Sequence, residues 1–95
     1  VYKNQRLRKI CEDAEVATKM YGERMAELIH RRIDELSAAD TVEMLVKFRV
    51  GRCHPLQGDR KGQYAMDLVH PQRLIFDVRD YQTIEVRIID IMDYH

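Results

Sequence analysis

Residues 64–92 read YAMDLVHPQRLIFDVRDYQTIEVRIIDIM, and the alternation within them decides the fold. Tyr64, Met66 and Leu68 alternate with Ala65, Asp67 and Val69. Leu74, Phe76 and Val78 alternate with Arg73, Ile75, Asp77 and Arg79, and Ile84, Val86 and Ile88 alternate with Glu85 and Arg87. Successive side chains of a strand point to opposite faces, so this period of two predicts three strands. His70-Pro71-Gln72 and Asp80-Tyr81-Gln82 are short enough for hairpin turns, which makes the strands antiparallel neighbours. At Ile88-Ile89 the alternation slips by one residue, predicting either a bulge or a stretch buried on both faces.

Upstream the period changes. Leu7, Ile10, Cys11, Ala14, Ala17 and Tyr21 form one apolar stripe at helical spacing, and Gly22 fits its stop. Met25, Leu28, Ile29, Ile33 and Leu36 form a second. Two helices joined at one glycine predict an antiparallel hairpin. Asp40 precedes Glu43 at capping-box spacing, for a short third helix reaching about Phe48. Helices followed by an antiparallel sheet define the α+β class. At 95 residues the chain makes a single domain, 1–95, with one core.

Acidic and basic residues balance at 16 each, which argues against a general nucleic-acid binder. Their distribution is uneven. Lys3, Arg6, Arg8 and Lys9 make the start basic, and residues 10–46 are acidic overall. Residues 47–61 carry Lys47, Arg49, Arg52, Arg60 and Lys61 against Asp59 alone, a net +4, and residues 62–95 are again acidic. A basic segment is where a phosphate is wanted, although solubilising charge explains many such runs. No apolar run approaches the roughly 18 residues a membrane span needs, and no secretory signal is visible. The chain begins at Val1 rather than Met, so a few residues are expected to precede it. A cytoplasmic location is expected, in which Cys11 and Cys53 remain free thiols.

Two segments carry candidate chemistry. One is Arg52-Cys53-His54-Pro55-Leu56-Gln57-Gly58-Asp59-Arg60-Lys61-Gly62, and the other is the terminal Asp93-Tyr94-His95. RNA carries its own nucleophile, the 2′-hydroxyl, so cleaving it requires a base, an acid and cations for the phosphoryl charge. Imidazole titrates near neutrality and suits both proton roles, which pairs His54 with His95. Asp93 would orient or charge one of them, and Arg73, Arg60 or Lys61 would hold phosphate. Cys53 beside His54 makes a poor zinc site, because adjacent strand residues face opposite ways. His30 reads as solvated, His70 as a turn residue, and the five methionines as core fillers.

The stretches GRCHPLQGDRKGQYAMDL (51–68), RLIF (73–76) and DYH (93–95) resemble the HigB-type toxins of the RelE superfamily, also called plasmid maintenance killer proteins. The resemblance implies a RelE-like domain, with an N-terminal helical hairpin packed on one face of a small, mainly antiparallel twisted sheet and a concave active face opposite. That family opens with a strand, which only Val1 to Lys3 can supply here. It implies a ribosome-dependent mRNA endoribonuclease leaving 2′,3′-cyclic phosphate and 5′-hydroxyl ends without metal or other cofactor. His54, Asp93, Tyr94 and His95 are then catalytic, and Arg73, Arg60, Lys61 and Gln57 contact RNA. The family commonly has lysine where Gln57 stands; glutamine donates a hydrogen bond but brings no charge, and Lys61 is the candidate substitute. The implied partners are mRNA on the ribosome and a HigA-type helix-turn-helix antitoxin, through which operator DNA is reached indirectly. Two rival readings stay open on the same scaffold: a ParE-like gyrase poison, and an inactive antitoxin-binding module.

Overall fold

The computed structural model describes residues 1–80 and 85–93. Asn4 caps α1 (Gln5–Glu12), its side-chain oxygen accepting from the Leu7 amide at 2.9 Å. The single first helix expected from the stripe is in fact two. Asp13 adopts an extended backbone, and its carboxylate accepts from the Glu15 and Val16 amides, starting α2 (Ala14–Tyr21) afresh. Aspartate does this because its short oxygen satisfies amides that a new helix leaves unpaired. Leu7, Ile10 and Cys11 are buried from α1 and Ala17 from α2, but Ala14, counted in the stripe, is exposed.

Gly22 separates α2 from α3 (Glu23–Ala38) at φ 89°, ψ 167°, a conformation essentially reserved for glycine. α2 packs back on α3 as the expected hairpin. The short α4 (Val42–Lys47) ends at Phe48 as expected, but Thr41 rather than Asp40 caps it, accepting from the Met44 amide at 3.2 Å.

Four strands follow: β1 (His54–Pro55), β2 (Gln63–Asp67), β3 (Gln72–Asp80) and β4 (Glu85–Asp93). They form one antiparallel sheet in the order β1-β2-β3-β4. The turn expected at Asp80-Tyr81-Gln82 runs into residues outside those described. Both alternatives at Ile88-Ile89 hold. Phe76 pairs with Ile88 and Ile75 with Asp90, so Ile89 is the extra residue of a bulge. Ile88 then joins the core beneath the helices while Ile89 joins the opposite face. Val1 to Lys3 do add an edge: Tyr2 bridges Ile88 in parallel, with Lys3 N donating to Ile88 O at 2.8 Å and Ile88 N to Val1 O at 2.9 Å.

The helix-side core contains Leu7, Ile10, Met25, Ile29, Met66, Leu74, Phe76 and Ile91. Cys11 and Cys53 are buried free thiols, both pushed up to about 11 by burial. Two expectations are corrected. Met20 and Met44 are exposed, while Met25 and Met66 fill the core as expected. His30 is only partly solvated: the residue is half-buried, and its Nε2 is buried with no hydrogen-bond partner among the described residues. Among those residues, no helix is long and apolar enough to cross a membrane.

Candidate active site

The sheet face away from the helices carries the site. β1 is only two residues long, and its pairing with β2 decides where His54 points. His54 pairs with Ala65, Ala65 with Ile75, and Ile75 with Asp90. Directly opposed strand residues share a face, so these four form a row across the sheet. Ala65 and Ile75 belong, with Leu56, Ile89 and Met92, to a second small apolar cluster separate from the helix-side core. Cys53, one residue before His54, belongs to the helix-side core.

Charged residues flank that row. On one side, Arg87 grips Asp77, with Nη2 donating to Oδ2 at 2.7 Å and Nε to Oδ1 at 3.3 Å. Asp77 raises the Arg87 guanidinium further above its usual value. On the other side, Arg73 Nε lies 3.0 Å from Asp67 Oδ1, and its Nη1 donates to the Pro71 and Gln72 carbonyls. Arg60 projects from the single helical turn Gly58–Arg60 and donates to Gln63 Oε1 at 2.9 Å and to Met92 Sδ at 3.1 Å. Gln63 and Met92 stand on opposite flanks of the row, so the Arg60 guanidinium lies across its middle. Gln57 and Lys61 flank the same turn and are exposed.

His54 is oriented by backbone. Its Nδ1 lies 2.9 Å from the Arg52 carbonyl oxygen. A carbonyl only accepts, so Nδ1 carries the proton and, in the neutral ring, Nε2 bears a free lone pair. That is the tautomer a general base needs. His54 also lines an open cleft of about 470 Å3 with Val46, Arg49, Arg52 and Cys53.

The terminal cluster is only partly described. Asp93 pairs with Gln72, in the alternation that carries Leu74 and Ile91 to the helix side. The register therefore separates Asp93 from the face that His54 occupies. Three strand spacings of about 4.8 Å put the Cα atoms of His54 and Asp90 about 14 Å apart, and Asp93 is three residues further along β4. Tyr94 and His95 lie outside the described residues. The structure thus brings His54, Arg60 and Arg73 onto one face, with Gln57 and Lys61 at its rim.

Sequence reasoning missed Asp77, Arg87 and Asp90 on this face, and named Arg49 and Arg52 beside His54 only as members of a basic run. The first three were legible only as strand alternation, without a partner to fix the face. The arginines stood in the basic run 47–61, the one available signal.

No protein-family model matches the chain, and no curated protein matches its sequence. Solved structures do match. A YoeB/ParE toxin from Agrobacterium tumefaciens is similar at 20% identity and a TM-score of 0.61, over 88% of each chain. A YoeB-YefM complex from Staphylococcus aureus gives 19% identity and a TM-score of 0.65, covering 100% of this chain and 93% of that one. The fold is that of the YoeB and ParE toxins. In this YoeB-like arrangement, His54 sits on the sheet face that the helices leave uncovered.

Proposed function

We propose that the chain is the toxin of a toxin–antitoxin pair and an endoribonuclease that cuts mRNA on the ribosome, of the HigB type. The observation that carries the reading is the His54 ring, held by the Arg52 carbonyl so that Nε2 is the base, on a face shared with arginines. His54 Nε2 takes the proton of the 2′-hydroxyl, whose oxygen attacks the adjacent phosphorus. The O2′–P bond forms as the P–O5′ bond breaks, and an acid protonates the departing 5′ oxygen. The products are a 2′,3′-cyclic phosphate and a 5′-hydroxyl.

The acid is assigned to His95, with Tyr94 stacking on a base. Arg60, lying over the middle of the face, and Arg73 stabilise the phosphoryl charge. Lys61 substitutes for the charge that Gln57 lacks. The reaction needs no metal, because the nucleophile belongs to the substrate and the charge is met by guanidinium groups. The ribosome supplies the in-line orientation that a small, electrically balanced protein cannot impose alone. The partner is an antitoxin, as in the YoeB-YefM complex, and its expected type is HigA-like with a helix-turn-helix.

The test is induction of the chain alone in cells, followed by mapping of mRNA 5′ ends. Codon-phased cuts are expected. Toxicity with intact mRNA would move the reading to a gyrase poison, and harmless accumulation of folded protein would move it to a binding module.

A further inference from the structure

We propose that Arg49 and Arg52 form a phosphate subsite beside His54, holding the backbone of single-stranded RNA on the β1 side of the cleaved linkage. This rests on the nuclease reading above and extends it to Arg49, outside the motif, and to Arg52, at its start. The cleft they share with His54, about 470 Å3, lies within the roughly 300–1,000 Å3 range of ligand-sized clefts.

The backbone there is strained. Arg49 and Arg52 adopt left-handed conformations at φ 52° and 56°, on either side of Gly51 at φ 58°. A side chain with a Cβ is sterically penalised in that region, and glycine is not. The chain nevertheless places a guanidinium at both positions. Gly51 itself is constrained, because a Cβ there would fall 2.6 Å from Arg32 Nε. Arg32 in turn donates to the Asp67 carbonyl at 2.7 Å, so the loop is clamped over α3 and β2.

Both guanidinium groups are available. Among the described residues, Arg49 has no ion-pair partner. Arg52 meets Asp67 Oδ2 at 3.4 Å with 82% of its side chain exposed, while Arg73 holds the same carboxylate more closely at 3.0 Å. So exposed a pair competes weakly with a phosphate. The Arg52 carbonyl also holds His54 Nδ1. One residue thus sets the imidazole with its backbone and offers a cation beside it with its side chain. RNA strung over His54 into this cleft places successive phosphates against successive arginines.

The experiment measures binding of the full chain to a short fluorescent 2′-O-methyl RNA, which cannot be cleaved, across a salt series. Arg49→Gly and Arg52→Gly relieve the backbone strain, so both variants are expected to fold with an unchanged or higher melting temperature. Each is expected to bind several-fold more weakly at low salt. Each should also flatten the plot of log affinity against log salt by about 0.7, the value for one lost phosphate contact to a single strand. Arg49→Lys is expected to keep the wild-type slope. Unchanged affinity and slope in both glycine variants would overturn the proposal, as would a wild-type chain with no salt-dependent RNA binding. So would an equal loss in Arg49→Lys. If the arginine dependence appears only with a poly-glutamate peptide and not with RNA, the cleft belongs to an acidic protein partner and the proposal fails. Normal codon-phased cutting beside unaffected glycine variants removes this subsite alone, and arginine-dependent RNA binding without cutting removes the nuclease reading alone.

Discussion

His54 is the residue on which the chemistry turns, and its expected behaviour is specific. Replacing it with alanine should slow cleavage of ribosome-bound mRNA by about a hundredfold or more, with little change in the urea midpoint, because the ring is only half-buried and outside both apolar clusters. A His54→Ala chain that cuts at the wild-type rate removes it from the mechanism. The thiols make a second prediction at this scale. Burial raises Cys11 and Cys53 from 9.0 to about 11, and burial with the nearby Cys11 and Glu12 raises Tyr2 from 10.0 to about 12. The unfolded chain therefore loses these protons at lower pH than the folded one. Their contribution to stability is intact below about pH 9 and declines as pH climbs through 9 to 12. Iodoacetamide at pH 8 should leave both cysteines unmodified in the native protein and label both in urea, and native labelling would contradict their burial. His54 was legible in the sequence because imidazole before Pro55-Leu56 stands out. Its face and tautomer were not, since both depend on contacts with Ala65 and the Arg52 carbonyl.

At the scale of elements, β2, β3 and β4 were legible because Leu74, Phe76 and Val78 mark one face without ambiguity, and the slip at Ile88-Ile89 carried over as a real bulge, whereas the two-residue β1 is too short to show any alternation. The first helix was misjudged because an apolar stripe reports burial, not backbone continuity. Asp13 breaks it with hydrogen bonds from Glu15 and Val16 that no hydrophobic pattern registers. Asp13→Ala should therefore destabilise the domain by about 1 kcal/mol, and Gly22→Ala, at a glycine-only backbone position with open space around it, by about 1–3 kcal/mol. Urea denaturation reads both. An Asp13→Ala chain as stable as wild type would mean that the cap contributes nothing and α1 and α2 fuse.

The whole molecule is a sheet with two different faces and two different margins. Its helix side is thick with large side chains, and its other side has, among the described residues, only the small cluster of Leu56, Ala65, Ile75, Ile89 and Met92 beneath the charged groups. This division, and so the location of the site, was legible only in outline. Asp93 shows why: alternation counted along β4 does not reveal which partner fixes its phase until Gln72 is found opposite. Deleting Val1 to Lys3 would uncover the Ile88 amide and carbonyl they satisfy. The truncated chain should be less stable and should self-associate at rising concentration. Light scattering coupled to gel filtration reads this, and an equally stable monomer would show that the segment is dispensable. The far margin is guarded by a different device. Pro55, half of the two-residue β1, has no amide hydrogen to offer. Stray polypeptide finds no ladder to extend there, so the rim that presents the imidazole stays bare for a partner that recognises it by charge and shape rather than by backbone.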